Sequence, residues 1–525
     1  MKEGWPMKFV WDQFVLLAIL CSGLFLRIYH LGGESLWYDE VISVRLAHMT
    51  PSEIIVNRAG NVHPPFYFLV LRGWVALFGD SEFAVRLLSV VFGCFAVFMI
   101  YKVGRLLFDK EVGILASLLL AISAFHIQYS QEARAYSLLV LLTLFSFYFF
   151  LQLPQGRNHW ISVGYVLSSA LLAYTHYYGL FVLVAQNLYF ASSLFFPRKG
   201  FELTLRKWLI LQSLIVLLFA PWIPILIHQV SEVKSGFWIA PPSKNALWRT
   251  FRQYGGSKVA MNLGFLLAFL SIATLNRARG GPGWKRLGEW LASFRQRIIL
   301  TDLGKIWLLS CWLFIPILLP FFVSQVVSPI YSDKYTIMAS SAFYLLIAKG
   351  TQNLAYKPAK IIVVTVIIIL SFINVKAYYG KVHKEQWREV ASYVDTSGKP
   401  GDLILFNSGR CMPPFDYYSR RSDLIKKPFP EINRKVDDVT IKGLIPIVKD
   451  RGRVWLILSH HRDPKELIVR TLGKIYSVAY HHKFKGIEVY LFEKGKQTLR
   501  SRTSKQSLFG GCEIRDPKGK EACAG

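Results

Sequence analysis

Cysteine is scarce in this sequence. There are six in 525 residues, with no C-x-x-C among them, which excludes a zinc ribbon, a dithiol redox pair and a disulfide framework. Cys21, Cys94 and Cys311 sit inside apolar runs, Cys411 stands alone, and Cys512 and Cys523 fall in a polar tail. No G-x-G-x-x-G follows a strand-like run, and P-loop, G-x-S-x-G, RNP and zinc-finger patterns are missing, so neither a dinucleotide site nor nucleic-acid binding is supported. No internal repeat is visible. "LAILCSG" around Cys21 lacks the small residue that lipoprotein cleavage needs, because Leu20 precedes the cysteine, and the apolar run continues through Phe25. This reads as an uncleaved anchor. Acids are few as well: 33 against 62 Lys and Arg, a formal net charge of +29.

What the chain has in abundance is apolar sequence. Hydrophobic residues make up 53%, the mean hydropathy is +0.34, and long apolar runs recur from end to end, the pattern of a polytopic α-helical membrane protein. About eleven spans are expected, near 12–29, 83–107, 112–126, 133–153, 161–175, 177–196, 208–228, 259–275, 306–323, 335–349 and 361–377. Segment 276–305 carries seven basic residues and two acids, and "PRKGFELTLRK" (197–207) is basic too. Both fall on one side of the expected topology, which places the N-terminus in the cytoplasm and puts Asp39 and everything beyond residue 378 outside. The five basic residues of 230–258 dissent. On a membrane protein this charge favours membrane lipids or a lipid-linked phosphate over nucleic acid.

Between the first two spans, "TPSE" at 50–53 has the form of a capping box with Pro at the first helical position. "HPP" at 63–65 opens a second helix over 66–78, too short to span comfortably. Both are expected to lie at the membrane interface. Beyond the spanning region (1–378), residues 379–497 alternate helix and strand, which predicts a small extracytoplasmic α/β domain. "HKEQWREVASYV" puts Trp387, Val390, Ala391 and Val394 on one helical face. "PGDLILF" and "GRVWLIL" read as buried strands, "DPKE" (463–466) as a helix start, and "KIYSVAYHHKFKGIEVYLFE" as a hairpin. The basic tail 498–525 has a disordered composition.

The outer ends of the spans gather "WYDE" (37–40), "NVHPP" (61–65), "HIQYSQEARAYS" (126–137), "YTHYYG" (174–179) and "SPIYSDKY" (328–335). Ionisable groups near hydrocarbon are costly and face a bundle interior or wet cavity, so such a gathering is a candidate site. Each member also has a plainer reading. Asp39 and Glu40 suit the first turn of a helix, Glu132 and Arg134 a local surface pair, His176 an interfacial position among tyrosines, and Lys334 a snorkelling lysine. His460-His461 and His481-His482 fit strand ends better than a metal site. Jointly, carboxylates, cations and aromatics suit sugar transfer from a phosphate-linked lipid. A carboxylate accepts the acceptor's hydroxyl proton, and cations receive the departing phosphate. A lipid or sugar-lipid transporter is also compatible with the span count, but would carry ionisable groups at mid-membrane and a repeat relating two halves.

These motifs carry a family resemblance. "RIYHLGGESLWYDEVISVRLA", "HPPFYFLVLRGWVALFGDSEFAVRLLSVVFG", "FHIQYSQEARAYSLLVLL" and "YTHYYGLFVL" resemble the GT-C superfamily of polyprenyl-phosphate-sugar-dependent glycosyltransferases. They are most similar to the bacterial branch related to dolichyl-phosphate-mannose protein mannosyltransferases (glycosyltransferase family 39) and the lipid A aminoarabinose transferase. The likeness is strong over 20–190 and looser to about 493, where "WREVASYV…PGDLILF" resembles that branch's outer domain. It implies a GT-C fold, interfacial helices in the first outer loop, inversion at the anomeric carbon, and a cell-envelope acceptor: a lipid, a glycan or a protein. Asp39 matches the catalytic acid, with Glu40 its usual neighbour. His63 stands where the aminoarabinose transferases carry a phosphate-binding lysine, and is expected to be partly cationic at neutral pH. Lys334 and Tyr335 stand where many relatives have an Arg-Tyr pair, a point charge in place of a bidentate fork. With Arg134 these form the expected donor-phosphate set. Tyr38, Glu132, Tyr136 and His176 complete the pocket. Family members differ in metal use; if a divalent cation (Mg or Mn) takes part, Asp39 and Glu40 are its candidate ligands. A polysaccharide polymerase or ligase is the alternative enzyme, though such proteins carry a long outer loop in mid-chain.

Overall fold

Among the described residues, six helices are long and apolar enough to cross a membrane: Trp11–Ile28, Glu82–Leu107, Tyr178–Phe195, Leu205–Glu232, Leu303–Val326 and Lys357–Tyr379. They belong to a computed structural model that describes residues 5–154, 158–196, 201–236, 240–275, 298–300, 302–430, 436–459, 463 and 466–495. Residues 276–297 of the basic segment, the "PRKG" stretch at 197–200, His460, His461, two residues of "DPKE" and the tail from 498 lie outside the described residues. Three shorter apolar helices, Phe66–Phe78, Tyr136–Gln152 and Lys258–Leu270, join the six.

The expected span 112–126 is a broken one. Lys110–Ala121 and Ala124–Ser130 meet at 62°. Ser123 caps the second piece by accepting the His126 N–H at 3.4 Å. The carbonyls freed at the break are taken by Arg27, a fully buried side chain from the first helix. Its guanidinium donates to Leu120 O at 3.1 Å, Ala121 O at 2.9 Å and Ser130 Oγ at 3.2 Å. One arginine thus supplies the donors a buried helix end requires, and fixes the direction in which the chain enters "SQEAR".

Between the first and second long helices lie three short ones, Tyr38–Ala47, Pro51–Ala59 and Phe66–Phe78. The second begins with the expected capping box: Thr50 Oγ1 accepts the Glu53 N–H at 3.3 Å, and the Glu53 carboxylate accepts the Thr50 N–H at 2.8 Å. Elsewhere close packing depends on small residues. A Cβ on Gly350 would lie 1.7 Å from the Leu267 carbonyl oxygen, so Lys258–Leu270 and Ser340–Gln352 touch backbone to backbone only because that position is glycine.

The chain divides into two units. The first comprises Met1–Gly398, Gly409–Arg421 and Lys483–Ile487, and the second Lys399–Ser408, Ser422–His482 and Glu488–Gly525. The helix Trp387–Ser397 buries the expected Trp387, Val390, Ala391 and Val394 face within the first unit. Among the described residues, five strands form one sheet in the order Ile425–Pro428, Leu403–Phe406, Arg453–Ser459, Ile487–Glu493, Ser477–Phe484, all but residues 483, 484 and 487 belonging to the second unit. Leu403–Phe406 pairs parallel with both of its neighbours. The outermost strand, "IKKP", was not expected. Its lysines and proline give little strand signal, and they suit an edge position where one side of the ladder is unpaired.

Candidate active site

The Tyr38–Ala47 helix decides how the two acids differ. Successive helical residues are turned by roughly 100°, so neighbours in sequence cannot share a direction. Trp37 is the N-cap and Glu40 the third helical residue, whose carboxylate reaches back to the Trp37 N–H at 3.4 Å. Glu40 is fully buried, while Asp39 keeps 30% of its side chain exposed.

Glu40 is the centre of a closed network. Arg86 donates to both of its oxygens at 2.9 Å, Lys384 to both at 3.0 Å, and the Ala133 N–H to Oε1 at 2.9 Å. The rest of the Arg86 guanidinium is taken by the carbonyls of Leu31, Glu34 and Ser35 at 2.7–2.9 Å. Burial works against the carboxylate, and the charges of Arg86 and Lys384 outweigh it, holding Glu40 down to about 2. Four stretches far apart in sequence meet here: the loop after the first long helix, the start of Glu82–Leu107, the "SQEAR" turn and the segment after the last long helix. Because six N–H contacts already occupy the Glu40 carboxylate, it does not fit as a co-ligand with Asp39 for a divalent ion. Among the described residues no three His, Cys, Asp or Glu side chains gather as a metal set.

Asp39 faces the other way. Its carboxylate lies 3.8 Å from Arg134 Nη2, and its backbone carbonyl accepts from Arg134 Nη1 at 3.4 Å and from Ser43 Oγ at 2.9 Å. The carboxylate is therefore oriented but not consumed. Arg134 reaches on to His63 Nε2 at 3.5 Å. A guanidinium only donates, so His63 carries its proton on Nδ1. His176 Nδ1 accepts the Tyr178 N–H at 3.2 Å, which leaves Nε2–H as a buried donor with no partner. The two imidazoles lie 5.4 Å apart, and Tyr335 packs against His176 at 4.8 Å and Tyr136 at 6.3 Å.

Lys334 sits over three rings, those of Trp37, Tyr136 and Tyr335, at 5.5, 5.8 and 5.5 Å. Among the described residues no carboxylate pairs with it. The motif-based reading missed Arg58, a buried guanidinium 5.0 Å above the Phe68 ring. Its Nη2 donates to Asn57 Oδ1 at 2.6 Å, and its Nε is buried without a partner. Burial first, then the nearby Arg134 charge, lowers Arg58 to about 10, while Tyr38 acts in the opposite sense. Glu132 is buried nearby, raised above the usual carboxylate range by burial, with Lys384, Lys334 and Arg134 opposing. Two guanidiniums and an ammonium are thus held near one another, and among the described residues Asp39, paired with Arg134, is the one carboxylate in an ion pair with any of them, an arrangement that favours a bound anion. Arg86 did leave a signal, as the lone arginine in the first turns of a 26-residue apolar helix. Arg58 and Lys384 left none.

The expected partial charge on His63 does not hold. Burial, reinforced by Arg134, His176, Arg58 and Lys334, pushes His63 well below its usual value, and burial with Arg134 and Lys334 lowers His176 to about 3. Both rings are neutral near pH 7. Unfolded histidines titrate near ~6.5, so below that pH the unfolded chain binds protons that the native state refuses. Stability contributed by these rings is complete above ~6.5 and is lost as pH falls toward the lowered native values. The unfolding midpoint in detergent should therefore drop between about pH 7 and pH 5. The drop should shrink in a His63→Gln, His176→Gln double variant; an unchanged slope would mean that neither ring is held neutral.

Comparison with known proteins adds three findings. Residues 62–226 match the family of dolichyl-phosphate-mannose-protein mannosyltransferases, a stretch that includes His63, Glu132, Arg134, Tyr136 and His176. No curated protein matches the sequence. The fold is similar to that of ArnT from Cupriavidus metallidurans in the apo state, at a TM-score of 0.57 and 11% identity over 90% of this chain and 97% of that one. It is similar to the same protein bound to undecaprenyl phosphate, at 0.54 and 11% over 93% and 98%. It is also similar to the archaeal oligosaccharyltransferase AglB from Archaeoglobus fulgidus in complex with an inhibitory peptide and a dolichol-phosphate, at 0.51 and 11% over 94% and 75%. The chain therefore has the ArnT-like GT-C fold and resembles the glycosyltransferases built on it.

Proposed function

We propose that this protein is an inverting glycosyltransferase of the cell membrane that moves a sugar from a polyprenyl-phosphate donor to a hydroxyl of a cell-envelope acceptor. The observation that carries this is the pairing of a partly exposed, oriented carboxylate, Asp39, with three cations, Arg58, Arg134 and Lys334, that are short of counter-charge. In this reading Asp39 accepts the proton of the acceptor hydroxyl as its oxygen attacks the anomeric carbon. The bond from that carbon to the phosphate oxygen breaks, and the electron pair leaves with the phosphate, whose charge the three cations receive. Neutral His176, packed against Tyr335, lines the cluster without adding charge to it. Glu40 holds the Tyr38–Ala47 helix, and so Asp39, against the "SQEAR" turn. A glycosidase would need a second carboxyl that is protonated, a role closed to Glu40 by its low pKa.

The direct test is to incubate the purified protein with a panel of polyprenyl-phosphate sugars and follow saturable release of polyprenyl phosphate. No release from any member, with candidate acceptors present, would sink the reading. Each cation should matter separately. Arg58→Ala, Arg134→Ala and Lys334→Ala each remove a charge-assisted contact of about 1.5–3 kcal/mol, so affinity for undecaprenyl phosphate should fall about 10- to 100-fold. Unchanged affinity in all three would place the phosphate elsewhere. Transfer on the outer face requires an outside C-terminal domain: a reporter active only outside should work when fused after residue 497 and be silent near Gly281. The reverse pattern would put Asp39 on the cytoplasmic side.

A further inference from the structure

Arg58 stands on a helix that cannot hold it in place unaided. Pro51–Ala59 has nine residues and buries only Ile54 and Arg58. Isolated helices shorter than ~12–15 residues are marginal in water, so this one depends on ties to its surroundings. It also carries its charge toward other cations: Arg134 repels Arg58, and like charges drive a loose helix end apart. The Thr50–Glu53 box closes the N-terminus, but the last carbonyls of a helix need partners from outside it. The Asn61 N–H reaches Arg58 O at 3.1 Å. The other donors come from much farther along the chain.

They belong to Gln229, 171 positions after Arg58, a buried residue of the span Leu205–Glu232. Its Nε2 donates to Arg58 O at 2.8 Å and to Ala59 O at 3.0 Å. A second pair dictates which way this amide faces. Trp222 Nε1 donates to the Tyr177 hydroxyl at 2.9 Å. An indole N–H can only donate, so the hydroxyl accepts there and gives its own proton to Gln229 Oε1. With the amide oxygen held by Tyr177, the nitrogen is left for the two carbonyls. Ala173, Phe219 and Trp222 form an apolar cluster here with Ala59 and Tyr177 packed against it, and hydrogen bonds in such surroundings are stronger than in water. Tyr177 directly follows His176, whose ring lies 5.4 Å from His63. The relay therefore fastens the end of the Arg58 helix to a stretch that already borders the cation cluster.

We infer that Gln229 is a positioning residue for the donor phosphate: held by Tyr177, it anchors the carbonyls of Arg58 and Ala59 and so keeps the Arg58 charge in the cluster with Arg134 and Lys334. This rests on the glycosyltransferase reading above. The guanidinium is fixed at its far end by Asn57 Oδ1 and the Phe68 ring, both local contacts that move with the loop. Gln229 is the contact that ties the loop to a long helix. Without it the helix end frays, and Arg58 moves away from the charges that repel it.

The test uses the full-length protein in detergent and two probes, undecaprenyl phosphate and undecaprenol, which share a tail and differ in charge. Gln229→Met keeps the length of the side chain and removes its hydrogen bonds. It should weaken undecaprenyl phosphate binding about fivefold or more, the effect of having Arg58 in place about a fifth of the time or less. Undecaprenol binding should stay within about twofold of wild type. Added to Arg58→Ala, Gln229→Met should cost no more than about twofold, because the charge it positions is already gone. Tyr177→Phe leaves Gln229 in place but frees its oxygen, so the amide loses its fixed direction. It should show the same pattern at smaller size, and it carries the test where Gln229→Met does not fold. Equal losses for both probes, or a loss as large beside Arg58→Ala as in wild type, would make the relay merely structural and overturn the assignment. Wild-type binding in both relay variants overturns it as well. A wild type that binds undecaprenyl phosphate no better than undecaprenol removes the lipid-phosphate reading itself, a result distinct from all of these.

Discussion

Asp39→Asn should lower turnover by about 10²–10⁴-fold, the usual worth of a positioned general base, while the protein stays folded and still binds undecaprenyl phosphate. Asparagine keeps the size of the side chain, and the Ser43 and Arg134 bonds to the backbone carbonyl of residue 39 do not depend on the carboxylate. What is removed is the ability to accept the acceptor's proton. The loss should therefore fall on kcat and kcat/KM together, with donor affinity nearly unchanged. Because the carboxylate lies only 3.8 Å from Arg134, any change in donor binding should be a slight rise, as that cation is released to the phosphate. Turnover close to wild type, on protein shown to be folded, would reduce Asp39 to a residue of the first helical turn and remove the mechanism with it.

Glu40→Gln should behave in the opposite way, with its main effect on the fold. The substitution leaves Arg86 and Lys384 buried around a neutral amide that can accept only part of what they donate. Breaking a buried pair by removing one partner costs about 3–5 kcal/mol, because the other charge is left uncompensated. Thermal unfolding in detergent should show that loss directly, and activity should fall in proportion to the folded fraction. The wild-type pH response has a definite sign. A carboxyl held below its unfolded value stabilises the protein fully above ~4.3 and loses that contribution as pH falls toward about 2. An unfolding midpoint equal to wild type in Glu40→Gln, with turnover abolished, would instead make Glu40 a participant in the reaction.

Local chemistry was legible in the sequence; long-range pairing was not. The Thr50–Glu53 capping box, the Phe66–Phe78 helix and the buried Trp387–Val394 face follow from short-range patterns, and the structure has all three. The acid pair was visible as a pair, but adjacency in sequence says nothing of direction until the helix start is fixed, and that start sends Glu40 inward and Asp39 outward. Nothing near Lys384 marks it as a partner for a residue 344 positions away. The break at 121–124 lacks Gly or Pro and reads as continuous apolar helix. It is satisfied by Arg27, 94 residues upstream of Ala121. Arg58 ends a helix whose pattern suits a surface, and its burial comes from elements packed around it. His63 was misjudged for the same reason, since its charge state depends on Arg58, Arg134 and Lys334 arriving from elsewhere in the chain.

The Glu40 network also has a timetable. Its carboxylate is made early, and Arg86 follows 46 residues later, but Lys384 comes 344 residues after it. At synthesis rates of about 5–20 residues per second, Lys384 joins roughly 20–70 s after Glu40. Until then the Tyr38–Ala47 helix lacks one of the ties that set Asp39 against the "SQEAR" turn. A chain that stalls or is clipped before residue 384 can insert every long helix and still lack the Lys384 tie to Glu40. Synthesis through residue 384 is thus a condition for closing the buried network around Glu40.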